Sequence, residues 1–487
     1  MRKVKLLLGP PGTGKTTTLI NIVQSCIERG IQPERIGYFS FTRKATIEAR
    51  TRAIEKFGYP EEMFPYFRTL HSLAFREMRI KRDEVMSDKH YRAFGKALGV
   101  EFKGIYDEDL GIHTGEGLGD KCSRIESLAR IGMRSLEDQY HMTATDDLTL
   151  HAVKQYSESL KAYKSENGLY DFTDMLAAWH GALDVDVAIF DEAQDLSTLQ
   201  FKMAIELSQN AKEVYLAGDD DQSIFQWAGS DLDFFLNMKA DEKQVLSTSY
   251  RVPRSVHRLA VNVLGRIKNR YEKPYNPRTE EGKVDYIADE NQIDLSKQGT
   301  WLLLARSRYL LGRLVKVARQ QGYAYIHNGR SSTNNNETKA IQSWEEMRKG
   351  ERISMHEAKN LLKFLNINHR LKKSADYGIE SFGLPQDALK IDWMDMLRLI
   401  PPDEREYLRS CLRNNQSFNS PPRITISTIH QSKGGEADNV VLLTDCGRKS
   451  FEALGGDEEN RVWYVGLTRC KENLFLVRPK GLRSFQI

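Results

Sequence analysis

The residues Gly9-Pro10-Pro11-Gly12-Thr13-Gly14-Lys15-Thr16 fit the spacing G-x-x-x-x-G-K-[ST]. Glycines so placed let backbone N–H groups turn inward on phosphate oxygens, and a helix starting there adds its partial positive charge. In such a cradle Lys15 reaches the β- and γ-phosphates of a nucleoside triphosphate and Thr16 holds Mg2+. The block alone speaks only for nucleotide binding. Asp191-Glu192-Ala193-Gln194-Asp195 follows much later. Two adjacent acids at the carboxyl end of a strand point to different faces, so Asp191 takes the metal and Glu192 polarises the attacking water. Read alone, the segment is also an acidic helix N-cap, since Asp195 and Ser197 follow. Residues 218–229 read Gly-Asp-Asp-Asp-Gln-Ser-Ile-Phe-Gln-Trp-Ala-Gly. There Gln222 is a neutral side chain able to bond the γ-phosphate or the water and so to sense hydrolysis. Read alone, that stretch is an acidic surface turn.

The elements that must position these groups are legible as apolar runs. Residues 4–8 read as a buried parallel strand before the phosphate loop, and residues 17–26 as the helix after it. Residues 185–190 and 214–217 read as strands ending on Asp191 and on the Gln222 segment. Strands alternating with helices predict parallel sheets. At 487 residues the chain is too long for one core. It is 40% hydrophobic and 28% charged, ordinary for a soluble globular protein. No run of about 18 apolar residues occurs, so no membrane partner is expected. A net charge of +4 does not by itself predict nucleic acid; a polyanion would need a local groove. Five scattered cysteines without CxxC spacing suggest reduced thiols in a cytosolic setting and no zinc site.

Further blocks, in order along the chain, carry a resemblance. Phe39-Ser40-Phe41-Thr42-Arg43-Lys44-Ala45 resembles T-F-T-N-K-A-A, and Arg68-Thr69-Leu70-His71-Ser72 resembles G-T-F-H-S. Tyr170-Asp171-Phe172-Thr173-Asp174-Met175-Leu176 resembles Y-D-F-x-D-L-L. Leu246-Ser247-Thr248-Ser249-Tyr250-Arg251 resembles L-x-x-N-Y-R. Thr428-Ile429-His430-Gln431-Ser432-Lys433-Gly434-Gly435-Glu436 resembles T-I-H-x-S-K-G-L-E. Glu458-Glu459-Asn460-Arg461 with Tyr464-Val465-Gly466-Leu467-Thr468-Arg469 resembles E-E-x-R-x-x-Y-V-x-x-T-R. With the acidic and phosphate blocks, these resemble the UvrD/Rep-like branch of superfamily 1 DNA helicases over nearly the whole chain.

The resemblance implies an ATP-dependent DNA helicase or translocase. It would move 3′-to-5′ on single-stranded DNA and open duplex junctions by hydrolysing ATP between two lobes. It implies that Arg251 and Arg469 are second-lobe arginines on the γ-phosphate, that Tyr250 stacks near adenine and that Glu436 lies near the ribose. It implies that Phe41 and Trp227 stack on DNA bases while Thr42, His71 and His430 follow the strand's backbone. The fold implied is α/β, with two RecA-like P-loop lobes of parallel sheet, each carrying an inserted, mostly helical subdomain. By motif position the first lobe takes residues 1–75 and 166–249 around an insertion at 76–165. The second takes 250–332 and 422–487 around an insertion at 333–421, reduced against larger family members. Helical patterns are expected at 148–164, 358–371 and 393–414, with a glycine-rich loop at 111–119. The sequence names no protein partner, and a monomer is expected to suffice.

Departures from the pattern carry expectations too. Only three residues precede Val4, so the family's upstream glutamine segment is expected to be missing, and Thr17 stands where an arginine often covers the base. Adenine selection is therefore expected to be loose, with GTP or CTP supporting some hydrolysis. Ala228 stands where an arginine is common and Gly435 where a leucine is.

Overall fold

The structure, a computed structural model, describes residues 2–107, 110–143, 145 and 147–487. Strands of the first half are β1 (Lys3–Leu8), β2 (Ile36–Ser40), β3 (Phe67–Arg68), the short antiparallel pair β4 (Tyr106–Asp107) and β5 (Ile112–His113), then β6 (Val187–Asp191), β7 (Glu213–Gly218) and β8 (Glu242–Val245). All except β4 and β5 join one parallel sheet in the order β3-β2-β6-β7-β1-β8. Alternate side chains enter different cores, as strand geometry requires. Leu6, Leu8, Ala188 and Phe190 pack on one face, and Leu7, Val187 and Ile189 on the other. Such two-sided burial is why these strands read as nearly continuous apolar runs.

Register then positions the chemistry. Leu8 pairs with Gly218, Phe190 with Leu216, and Ser40 with Asp191. The carboxyl ends of β1, β6 and β7 therefore finish level, the edge at which open α/β sheets hold ligands.

The second half contributes β9 (Lys283–Ile287), β10 (Trp301–Ala305), β11 (Tyr325–His327), β12 (Arg330–Ser331), β13 (Ile424–Thr428), β14 (Ala437–Leu443) and β15 (Cys470–Val477). Their order is β12-β11-β13-β10-β14-β15-β9, parallel except for the β11–β12 pair.

Helices fill both expected insertions. Asp88–Leu98, Leu118–Ile131, Leu136–Thr143 and Leu150–Asn167 belong to the first. Part of it closes on a core of its own, with Tyr91, Phe94, Phe102, Tyr156 and Leu160. Asn336–Arg348, Met355–Leu362, Trp393–Met396 and Pro402–Arg413 belong to the second. That insertion shares its core with the sheet, Trp344, Leu361 and Leu408 packing with Leu303 and Ile424.

Two expected helices are shorter than their patterns. The 358–371 pattern yields Met355–Leu362 alone, and 393–414 breaks into Trp393–Met396 and Pro402–Arg413. A proline cannot donate to the preceding turn, and Pro402 instead opens the second helix. The glycine-rich stretch at 111–119 includes β5 and the first turn of a helix. It is tied by the buried Asp120 carboxylate, which accepts the N–H groups of Lys103, Gly104 and Gly117 at 2.8, 3.1 and 2.9 Å.

The chain folds into two compact units. One comprises Met1–Val252, Val261–Thr279 and Gly455–Tyr464; the other comprises Pro253–Ala260, Glu280–Leu454 and Val465–Ile487. This corrects the expected division at 249/250. Tyr250 and Arg251 belong to the first unit, because Ser249 Oγ donates to Pro11 O at 2.8 Å and Tyr250 N–H to Gly12 O at 2.8 Å. Among the described residues no helix is long and apolar enough to cross a membrane.

His113 is buried among the rings of Tyr91, Phe102 and Tyr106, its Nδ1 2.8 Å from Ser123 Oγ. Burial pulls its imidazole down to about 4, against the opposing pull of Asp120 and Asp88. An unfolded histidine titrates near 6.5, so between the two values the unfolded chain binds the extra proton. Stability therefore falls as pH drops through that window, by on the order of 3 kcal/mol for this one group. In urea unfolding, the midpoint of His113→Gln is expected to drop less between pH 7 and pH 4.5 than that of the wild type.

Candidate functional site

In the first unit, β1 runs straight into the phosphate loop. Gly9 N–H donates to Gly218 O at 3.1 Å, pinning the loop's entry to β7, and Thr13 Oγ donates to Pro10 O at 2.8 Å. Gly14 caps the helix Lys15–Glu28 in a left-handed conformation, and Gly12 is left-handed with φ 76°. A Cβ on Gly12 would also collide with Arg251 Cβ and Ser249 Oγ, so glycine is required there twice over. Lys15 is buried and its Nζ donates to Gly9 O at 2.6 Å. Thr17 lies exposed on the first turn of that helix. Tyr250 is 77% exposed, and its ring edge would meet a Cβ at Gly14 at 3.9 Å, so its ring stands beside the loop.

The acid pair emerges beside it. Asp191 Oδ2 accepts the Tyr38 hydroxyl at 2.7 Å and lies 3.5 Å from Thr16 Oγ. Burial and the neighbouring Glu192 push the Asp191 carboxyl up to about 6, with the Tyr38 hydrogen bond and Lys15 pulling back. A carboxylate and a hydroxyl oxygen converging next to a lysine are the hard-oxygen donors that suit Mg2+ on a bound triphosphate. Glu192 has φ 55° and ψ 38°, the left-handed region that side chains avoid. Gln194 Nε2 donates to the Glu192 carboxylate at 2.6 Å.

After β7 the acidic turn is no surface feature. Asp219, Asp220, Asp221 and Gln222 are buried. Among the described residues these three aspartates form the one group close enough to hold a metal. Protein cations sit there instead. Lys273 Nζ lies 3.0, 2.6 and 2.7 Å from the three carboxylates in turn, and Arg270 grips Asp221 with two hydrogen bonds of 2.7 and 2.6 Å. Burial opposes the charge on Lys273, but the carboxylates outweigh it and hold the ammonium protonated. Gln222 Nε2 donates to Asp219 Oδ2 at 2.8 Å. The helix Asp457–Leu467 also begins on this loop: Arg461 Nε donates to Asp220 O at 3.0 Å, and Glu458 accepts Trp227 N–H at 3.1 Å.

Aromatic side chains gather on a neighbouring face of the first unit. Phe41 stacks on Phe225 with ring centroids 5.5 Å apart, and both line a cavity with His71, Leu176, Asp195 and Ala228. Trp227 is 39% exposed. His71 packs edge-on to Phe172, and burial and Arg43 lower its imidazole to about 4. The Thr42 hydroxyl accepts Ala45 N–H at 3.3 Å, capping the helix Arg43–Phe57.

In the second unit, Arg469 is buried. Its Nε donates to Val465 O at 3.0 Å, and one terminal nitrogen donates to Gly435 O at 3.2 Å. Glu436 pairs with Lys471 at 2.7 Å. Burial, Arg306 and Lys433 lower the His430 imidazole to about 3.

A UvrD/REP helicase N-terminal domain matches residues 1–243, and a UvrD-like helicase C-terminal domain matches residues 123–480. The chain belongs to the UvrD-like helicase family. The putative ATP-dependent DNA helicase YjcD of Bacillus subtilis is 26% identical to it, over 98% of this chain and 77% of the relative. A probable DNA helicase II homologue of Rickettsia conorii is 23% identical over 99% of this chain and 91% of its own. ATP-dependent DNA helicase PcrA of Leuconostoc citreum is 23% identical over 58% of this chain, which spans only 39% of it.

For this UvrD-like chain, the first unit brings together Gly9 to Thr17, Asp191, Glu192, Gln222, Tyr250 and Arg251. Glu436, His430 and Arg469 belong to the second. Lys273, Arg270 and Phe225 were not singled out in the sequence. Phe225 had a signal, lying two residues before Trp227 in the same block; the two cations had none, being about 50 residues from the acids they neutralise. Removing a buried cation strands its carboxylates, a change that costs about 3–5 kcal/mol. Lys273→Met is expected to lose stability on that scale in urea unfolding, and Lys273→Arg markedly less.

Proposed function

We infer that this chain is an ATP-dependent DNA helicase. The observation that carries the reading is Thr16 beside Asp191 next to Lys15, with Glu192 and Gln222 on the loops that follow the level ends of β6 and β7, in a chain of this family. Lys15 neutralises charge on the β- and γ-phosphates, and Thr16 and Asp191 would hold Mg2+. The metal supplies charge neutralisation for the leaving phosphates when bound. Water held by Gln222 attacks the γ-phosphorus, its proton passes to Glu192, and the bond to the bridging oxygen breaks to give ADP and phosphate. Arg251 stabilises charge on the transferred group, a role that can be worth on the order of 10³ in rate, and Arg469 is assigned the same role. Tyr250, with its ring exposed, stacks on adenine, and Glu436 contacts the ribose.

The nucleic-acid partner proposed is single-stranded DNA next to duplex, with 3′-to-5′ movement. Phe41, Phe225 and Trp227 offer faces for bases, and stacking tolerates any sequence. Thr42, His71 and His430 are assigned to the strand's backbone. The lowered imidazoles make both histidines neutral hydrogen-bonding groups at working pH rather than cations. Opening one base-pair step costs about 1.4 kcal/mol on average, a small demand on a motor driven by ATP.

Lys15→Ala is expected to abolish DNA-stimulated ATP hydrolysis while single-strand binding persists; retained turnover would overturn the assignment. Phe225→Ala is expected to weaken single-strand affinity by roughly tenfold, the loss of about one stacking contact, at fixed salt. Direction is read from forked, 3′-tailed and 5′-tailed duplexes at matched salt. Unwinding of the 3′-tailed substrate over the 5′-tailed one is expected, and the reverse preference would refute the polarity.

A further inference from the structure

Glu192 and Gln222, the two side chains assigned to the attacking water, stand on different loops, after β6 and β7. One buried amide joins those loops. Gln194 has no exposed surface. Its Nε2 donates to Glu192 Oε2 at 2.6 Å and to Asp195 Oδ2 at 3.0 Å, and its Oε1 accepts the Asp219 backbone N–H at 3.0 Å. Two carboxylates on one side and an N–H on the other leave the amide a single orientation. Asp219 in turn accepts Gln222 Nε2 at 2.8 Å. A path of hydrogen bonds thus runs from Glu192 through the Gln194 amide to the Asp219 backbone N–H, and from the Asp219 carboxylate to Gln222. The seat for the amide is specific. A Cβ on Gly218 would collide with Gln194 Oε1 and crowd the Phe235 ring, so glycine at the end of β7 is what admits it. Ser223 Oγ, donating to Gln194 O at 3.2 Å, closes the seat from the far side.

We propose that Gln194 is a positioning residue for hydrolysis, holding Glu192 and Gln222 in register around the water that attacks the γ-phosphate. The proposal rests on the roles assigned above to those two residues. No other residue type fills this position as well. A glutamate would set a third carboxylate against those of Glu192 and Asp195. A methionine fills the space but donates nothing, so the hydrogen bond from residue 194 to the Glu192 carboxylate is lost. Small misplacements of a reacting group can cost on the order of 10²-fold in rate.

The test uses the full chain with single-stranded DNA. Single-turnover ATP hydrolysis is measured alongside affinity for a fluorescent non-hydrolysable ATP analogue and thermal unfolding. Gln194→Met is expected to slow hydrolysis by roughly 10- to 100-fold while analogue affinity stays within about threefold. Glu192→Gln is slow in its own right, and adding Gln194→Met to it is expected to cost little more, because the group being positioned has lost its function. A structural loss would instead multiply in both backgrounds, and that result would overturn the proposal, as would near-wild-type hydrolysis in Gln194→Met. Should Gln194→Met fail to fold, Gly218→Ala displaces the amide while keeping Gln194. The same split between hydrolysis and analogue affinity is expected, and its absence counts against the proposal. A wild-type chain without DNA-stimulated hydrolysis would sink the reading of the site itself, and is seen before any Gln194 variant is made.

Discussion

The pairing of β1 with β7, flanked by β6, is the constraint from which the candidate site follows. Leu8 lies opposite Gly218, and Phe190 opposite Leu216. Because the three strands are parallel and level, their following loops leave the same edge within about one residue of each other. A slip of a single residue would turn every side chain to the other face of the sheet. It would send Leu6 and Leu8 out of one core and Leu7 out of the other, and separate Thr16 from Asp191. The two cores lock the register, and the register places the chemistry.

Buried charge then makes the loops rigid. Three aspartates in a row after β7 could not remain buried on their own, since desolvating an unpaired carboxylate costs several kcal/mol. Lys273 and Arg270 supply the opposite charge, and Arg461 adds a hydrogen bond to Asp220 O. These cations come from stretches remote in the chain, so the acidic turn is held by the tertiary structure. A second such cluster closes the insertion of the first unit, where Arg130 and Lys164 share Asp171 and Asp174. In both places the charged groups sit where a loop must keep one shape.

Strands were the most legible elements: the apolar runs at 4–8, 185–190 and 214–217 correspond to β1, β6 and β7 within about two residues, because a strand buried on both faces leaves an uninterrupted apolar signature. Helices of the second insertion were less so. Their amphipathic pattern ran on past Leu362 and past Met396, where the helices end although the polarity pattern continues. The division near residue 250 was misplaced for another reason. Motif order says which blocks succeed each other, whereas the bonds from Ser249 and Tyr250 to the phosphate loop decide which unit they join.

Spacing along the chain determined the phosphate loop, the acid pair and the family, because each depends on a short stretch of backbone whose geometry is local: glycines at 12 and 14 where φ is positive, a lysine and a hydroxyl at the start of a helix. Only the folded chain decided what lies around them. Lys273 against Asp219, Gln194 between two loops and Phe41 against Phe225 join residues whose separation carries no period or spacing. Such pairs are chosen by which strand ends finish level and by which buried charges require a partner, and both are settled by packing in three dimensions.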